Sequence, residues 1–111
     1  MDRKNEIIIS KIIGYIDKIE NYTKGSSKES FLSNMQLVEA CVFNLLQIGE
    51  LASRIDEQYR TKNQNVPWNK IRGLRNRLVH DYDGVNLELI GEIVCKDLAE
   101  LKVLLSDSFS Q

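Results

Sequence analysis

His80 is the single histidine of this chain, and it sits in the stretch Arg75-Asn76-Arg77-Leu78-Val79-His80-Asp81-Tyr82. An arginine stands five positions before it and a tyrosine two after it, while Lys70, Arg72 and Arg77 add positive charge close by. Histidine exchanges protons near neutral pH, and a guanidinium fork holds phosphate oxygens in pairs. RNA brings its own nucleophile, the 2′-hydroxyl. Cleaving it without a metal needs a group to take that proton, a group to protonate the leaving 5′-oxygen, and positive charge on the crowded phosphorane. His80 suits the proton transfer, and Arg75 suits the non-bridging oxygens. One histidine does not easily act as acid and base at once. Two copies facing each other across a dimer axis would supply both, and symmetric dimers are the commonest oligomers. The plain alternative is a histidine favoured by the dipole at a helix C-terminus, beside arginines on a solvated face. Arg-x4-His alone is a weak pattern.

Other residues attach to this cluster with less force. Glu50 reads first as the partner of Arg54 in an (i, i+4) surface ion pair, and second as a group that shapes the site around His80 and Arg75. Trp68 reads as a core or interface anchor before it reads as a base-stacking platform. Asp81 and Asp83 lack neighbours that would complete a metal site, and a chain with one histidine and no CxxC pair gives no zinc site. No metal and no cofactor is expected.

Bulk properties narrow the function classes. A length of 111 residues fits one domain, spanning 1–111. A formal net charge of −1 argues against a sequence-blind nucleic-acid coat, so any RNA contact must be local. Cys41 and Cys95 lie far apart in apolar helical stretches and read as buried thiols in a reducing cytosol. The charged start and the Lys11 and Asp17 interruptions leave neither a signal peptide nor a membrane span, so a cytoplasmic protein is expected.

Helices must position the cluster. Apolar residues recur with a helical period almost throughout, and one proline and six glycines punctuate them. The first helix is expected over about 4–23, with Ile8, Ile12, Ile16 and Ile19 on one face and Gly25 as its stop. Ser26 and Glu29 look like a capping box for a long second helix over about 28–59. That helix carries two adjacent apolar rows: Phe31, Met35, Val38, Val42, Leu45, Gly49 and Ala52, then Leu37, Cys41, Ile48, Leu51 and Ile55. So wide a face suits either a partner chain or a broad core of its own.

Pro67 opens a third helix over about 67–81, with Ile71, Leu74 and Leu78 inward and Arg72, Asn76 and His80 stacked by fours along an outward stripe. Asp83-Gly84 breaks it. Asn86 caps a fourth helix, with Val85 and Ile90 as a hydrophobic staple. Leu87, Ile90, Val94, Leu98, Leu101 and Leu105 carry that helix to about 107. Short connections between long amphipathic helices predict an all-α, up-and-down four-helix bundle.

Arg75-Asn76-x-x-x-His80-x-Tyr82 resembles the R-x4-H-x-Y signature of HEPN-domain proteins, particularly the HepT-like toxin family. Gln47-Ile48-Gly49-Glu50, Pro67-Trp68, Ile71 and Gly73 are similar to that family as well, and the similarity runs from the second helix into the fourth. The resemblance implies a helical bundle that dimerises and brings two Arg/His pairs into one cleft. It implies a metal-independent endoribonuclease acting on RNA, tRNA in some members, with Arg75 and His80 catalytic and Asn76 shaping the site. Lys70, Arg72 and Arg77 would then bind RNA. It also implies a type VII-like toxin–antitoxin pair, in which a minimal nucleotidyltransferase antitoxin attaches AMP to Tyr82. Bulky anionic groups there would repel RNA phosphate. The alternative is a non-catalytic helical subunit that partners such a nucleotidyltransferase, its basic stripe used for docking.

Overall fold

A computed structural model describes residues 3–80 and 84–109 of the chain, and its fold is an all-α bundle. Helix α1 (Arg3–Thr23) buries Ile8, Ile9, Ile12, Ile16 and Ile19 along one side, the face its spacing predicts, and lies along α3 (Met35–Ala52). Each fully buried aliphatic side chain of this kind stabilises by roughly 1.5–3 kcal/mol. Gly25, at φ +82°, turns the chain out of α1 in a conformation that disfavours any side chain.

The expected second helix is three helices: α2 (Lys28–Leu32), α3, and α4 (Glu57–Lys62). Hydrophobic period runs through both breaks, so periodicity alone does not see them. Short polar side chains make them, by offering the backbone other partners. Ser33 donates its hydroxyl to the Ser30 carbonyl, and the Asn34 side chain accepts from the Leu37 amide at 3.1 Å, opening α3 afresh. At the far end Ser53 donates to the Gly49 carbonyl, and buried Asn5 of α1 accepts from the Asp56 amide, fixing where α4 begins. The cap of α2 is Ser27, which accepts from the Ser30 amide; Ser26 instead bonds back to Thr23 in the turn after α1. The expected Ser26–Glu29 box is thus displaced by one residue.

Both apolar rows are spent on the chain's own core. Val38, Cys41, Val42, Leu45, Ile48, Leu51, Ala52 and Ile55 are all buried, and Met35 alone of the first row stands well exposed. The width of this face is therefore no argument for a partner chain. Besides Met35, the large apolar side chain that α3 leaves outside is Phe43, 59% exposed.

Where α3 crosses α5 (Trp68–Arg72) and α6 (Leu74–Leu78), Gly49 lets the backbones close up. A methyl there would stand 3.0 Å from the Ile71 carbonyl oxygen and 3.5 Å from the Leu74 Cβ. Gly49→Ala is expected to destabilise the fold by about 1–3 kcal/mol through overpacking. Gly14→Ala in α1, where nothing lies within 4 Å, is expected to stabilise by about 0.5–1 kcal/mol by restricting the unfolded chain. Denaturant melts of the two variants should shift in opposite directions.

The expected fourth helix contains a wider turn. Helix α7 (Leu87–Glu92) runs into a π-helical turn, Ile93–Asp97, and then α8 (Leu98–Ser108). The Leu98 amide bonds to the Ile93 carbonyl, five residues back. Ile93 and Leu98 are consequently both buried, while Val94, predicted for the apolar row, is half-buried and Leu87 is largely exposed. Lys102 of α8 clips onto α1 through Asp17 at 2.6 Å and Glu20 at 3.3 Å. Its hydrogen bonds to Asp17 and then Glu20 raise its pKa.

The two cysteines differ, which corrects the expectation that both are buried. Cys41 is fully buried and its thiol is pushed up to about 11 by desolvation, whereas Cys95 in the π turn is exposed. Alkylation of the folded protein near pH 8 should label Cys95 alone, and Cys41 only after denaturation, as read by intact mass.

Candidate active site

The third predicted helix ends before His80, and the cause is local. Gly73 interrupts it, giving α5 and α6 of five residues each, with the Gly73 amide bonded back to Asn69. The chain then leaves helical geometry: Val79–His80 forms strand β1, antiparallel to Gly84–Val85 as β2, in the register Val79↔Val85 and His80↔Gly84. Arg72, Asn76 and His80 therefore do not share a helical stripe, because that stripe needs an unbroken helix from 72 to 80.

Two-residue strands have little stability of their own, and this pair is tied at its open end. The Asn86 amide donates to the Leu78 carbonyl at 2.7 Å, next to the pairing, and the Asn86 side chain accepts from the Leu89 amide at 3.2 Å, opening α7 as expected. Leu78 is fully buried, so the residues on either side of the hairpin are anchored in the core and in a helix cap. Gly84 has φ +87°, which favours glycine. Three residues separate the paired His80 and Gly84, and a short connection closed by a glycine at positive φ is a recurrent hairpin form, so reading Asp83-Gly84 only as a helix breaker missed it. Asp81, Tyr82 and Asp83 lie outside the described residues.

Arg75 and Asn76 are exposed on α6, and neither side chain makes a hydrogen bond or ion pair with another described residue. Arg77 goes elsewhere: its Nη1 donates to the Lys70 carbonyl at 3.3 Å, back along α5. At 100° per residue, Arg75 and Arg77 leave α6 about 200° apart. The expected cluster of cations is thus split, with Arg75 on one flank and Lys70 and Arg77 on the other; Arg72 is exposed at the end of α5.

Glu50 is exposed and next to Gly49, whose close approach to Leu74 puts Glu50 and Arg75 each one residue beyond the same crossing. Among the described residues no ion pair joins Glu50 to Arg54. Helix α3 ends at Ala52 and Arg54 belongs to the following turn, its amide bonded to the Leu51 carbonyl. The (i, i+4) geometry that the pair needs is absent.

A model of the family described as Ribonuclease HepT-like matches residues 12–107, which contain α3, the crossing at Gly49, Arg75 and the hairpin. The chain belongs to the HepT-like ribonuclease family. It is 39% identical over 79 residues to a "Putative RNase" of Caldanaerobacter subterraneus subsp. tengcongensis, covering 71% of this chain and 70% of the relative. A "Putative RNase" of Methanocaldococcus jannaschii is 37% identical over 86 residues, with 78% of each chain covered. A "Probable ribonuclease HepT" of Thermococcus cleftensis is 28% identical over 102 residues, covering 92% and 93%. No solved structure matches. Membership supports ribonuclease activity for this HepT-like chain, and RNA as its substrate class. Among its described residues no helix is long and apolar enough to cross a membrane.

Proposed function

We propose that this HepT-like protein is a metal-independent endoribonuclease in which Arg75 and His80 are the catalytic residues. The observation that carries the reading is Arg75 itself: an exposed guanidinium with no partner among the described residues, one turn of helix before the hairpin that holds the His80 backbone. An arginine not engaged by protein acceptors is free to take a phosphate. The 2′-oxygen attacks phosphorus as its proton is taken, the 5′-oxygen leaves protonated, and a 2′,3′-cyclic phosphate remains. His80 transfers protons, Arg75 holds the non-bridging oxygens, and Asn76 and Glu50 shape the flank of the site. Arg72 is the further cation best placed for RNA.

One histidine per chain makes the homodimer part of this proposal. Phe43, Gln47 and Glu50 follow one another by four and three along α3, so the exposed Phe43 ring shares a stripe with Glu50, one residue beyond the α6 crossing. A second copy seated on that stripe would bring two sites together. The protein acts as the toxin of a toxin–antitoxin pair, and a nucleotidyltransferase antitoxin silences it by moving AMP from ATP to the Tyr82 hydroxyl with release of pyrophosphate. Added phosphates beside the cleft repel RNA.

The test is incubation of unmodified protein, beside its His80→Ala variant, with bulk tRNA in EDTA. Cleavage by the wild type only, leaving 2′,3′-cyclic phosphates, supports the mechanism. Cleavage that EDTA abolishes sinks its metal-free step. The net charge of −1 favours a second reading, a non-catalytic subunit that docks a nucleotidyltransferase. Absence of cleavage by protein whose intact mass shows bare Tyr82 would support that one.

A further inference from the structure

Lys70 and Arg77 border a groove of about 430 Å³ on the flank of α6 away from Arg75. Its apolar surface is offered by the half-buried Leu89 of α7 and Leu104 of α8, over the buried Ile48, Ile71 and Leu101. Glu92, Asp97 and Glu100 form the opposite wall, along α7, the π turn and α8. The two walls carry opposite charge, yet among the described residues no ion pair crosses between them. The π turn contributes to this wall: it sets Ile93 and Asp97 both on the groove, and such turns occur often at functional sites.

We propose that this groove docks an amphipathic helix of a partner protein, one with an apolar ridge flanked by acidic residues on one side and basic residues on the other. Three carboxylates along one wall oppose RNA phosphate, so the occupant is not nucleic acid. A non-polar floor between charged rims matches helix-in-groove recognition, in which the apolar ridge gives affinity and the rims give register. Glu92 and Leu104, both on the groove, lie roughly 18 Å apart along the helix at 1.5 Å per residue. That length accommodates about three turns of a partner helix. The inference does not depend on RNA cleavage, and its test does not read cleavage.

Because reversing a helix end for end exchanges its flanks, mirror-image charge patterns do not discriminate, whereas like-charged flanks do. The probes are three fluorescein-labelled, three-turn helical peptides with the same leucine ridge: one with Glu on one flank and Lys on the other, one with Lys on both, one with Glu on both. Anisotropy titrations with the full chain should show the mixed peptide binding about tenfold or more tighter than either other. The double variant Lys70→Glu/Arg77→Glu should remove that preference, while Lys24→Glu, remote in the turn after α1, should leave it intact; circular dichroism checks that both variants fold. Equal binding of all three peptides, or none, overturns the proposal. So does a self-association that the double variant abolishes, which would give the groove to a second copy. Displacement of the bound peptide by an RNA oligonucleotide would give it to RNA and overturn the proposal equally.

Discussion

Replacing His80 with alanine is expected to remove RNA cleavage by about 10²–10⁴-fold, the usual contribution of a positioned proton-transfer group, with fold and self-association unchanged. Arg75→Ala should fall as far, and Arg75→Lys should recover little, because an ammonium cannot hold two phosphate oxygens with a planar fork. The stronger prediction concerns mixtures. If one histidine of a dimer takes the 2′-proton while the other protonates the leaving oxygen, a dimer with one His80→Ala subunit is dead. Equal amounts of wild type and variant, allowed to exchange subunits, should then retain about a quarter of the undiluted wild-type rate, whereas independent sites would retain about half. A retained half would leave His80 catalytic but refute the shared site. Full activity in His80→Ala protein would remove the catalytic assignment altogether.

The parts of this molecule legible in the sequence are those that burial alone decides. The buried isoleucines of α1, the two rows of α3 apart from Met35, and the inward set of Ile71, Leu74 and Leu78 lie where their spacing puts them, since a helical face either reaches the core or does not. What the spacing missed turns on single polar or small residues. Asn34 and Ser33 divide a continuous apolar pattern, Gly73 and Gly84 convert an expected helix into helix, hairpin and cap, and the π turn moves burial from Val94 to Ile93. Arg75 and His80 were legible as chemistry because their types and spacing are in the sequence itself. Their arrangement was not: it depends on where α6 ends, and a backbone bond between Asn86 and Leu78 with a glycine at positive φ leaves almost no trace in hydrophobic period.

Trp68→Ala is expected to cost about 3–5 kcal/mol of stability, the range for deleting a buried aromatic ring. The ring is 6% exposed, its Nε1 donates to the Asn63 carbonyl at 3.0 Å, and it meets Tyr59 edge-on with centroids 6.3 Å apart. Tyr59 in turn shares a 2.7 Å hydroxyl bond with Ser108 at the end of α8. One indole therefore joins the 63–66 turn, α4, α5 and, through Tyr59, the C-terminal helix. A domain of this size has roughly 5–15 kcal/mol in total, and each kcal/mol moves the melting temperature by about 4–8 °C. Thermal unfolding should thus fall by roughly 12 °C or more. Trp68→Phe keeps an aromatic ring and loses the hydrogen bond, but the Asn63 carbonyl still accepts from the Val66 amide, so it should cost only about 0.5–1.5 kcal/mol for the lost bond. A base-stacking platform predicts the opposite pattern: an exposed ring, little loss of stability on truncation, and weakened RNA binding in a protein that still melts like the wild type. With the indole enclosed by Asn63 and Tyr59, the anchor is the role the geometry supports, and the melting curve of Trp68→Ala decides between the two without any RNA present.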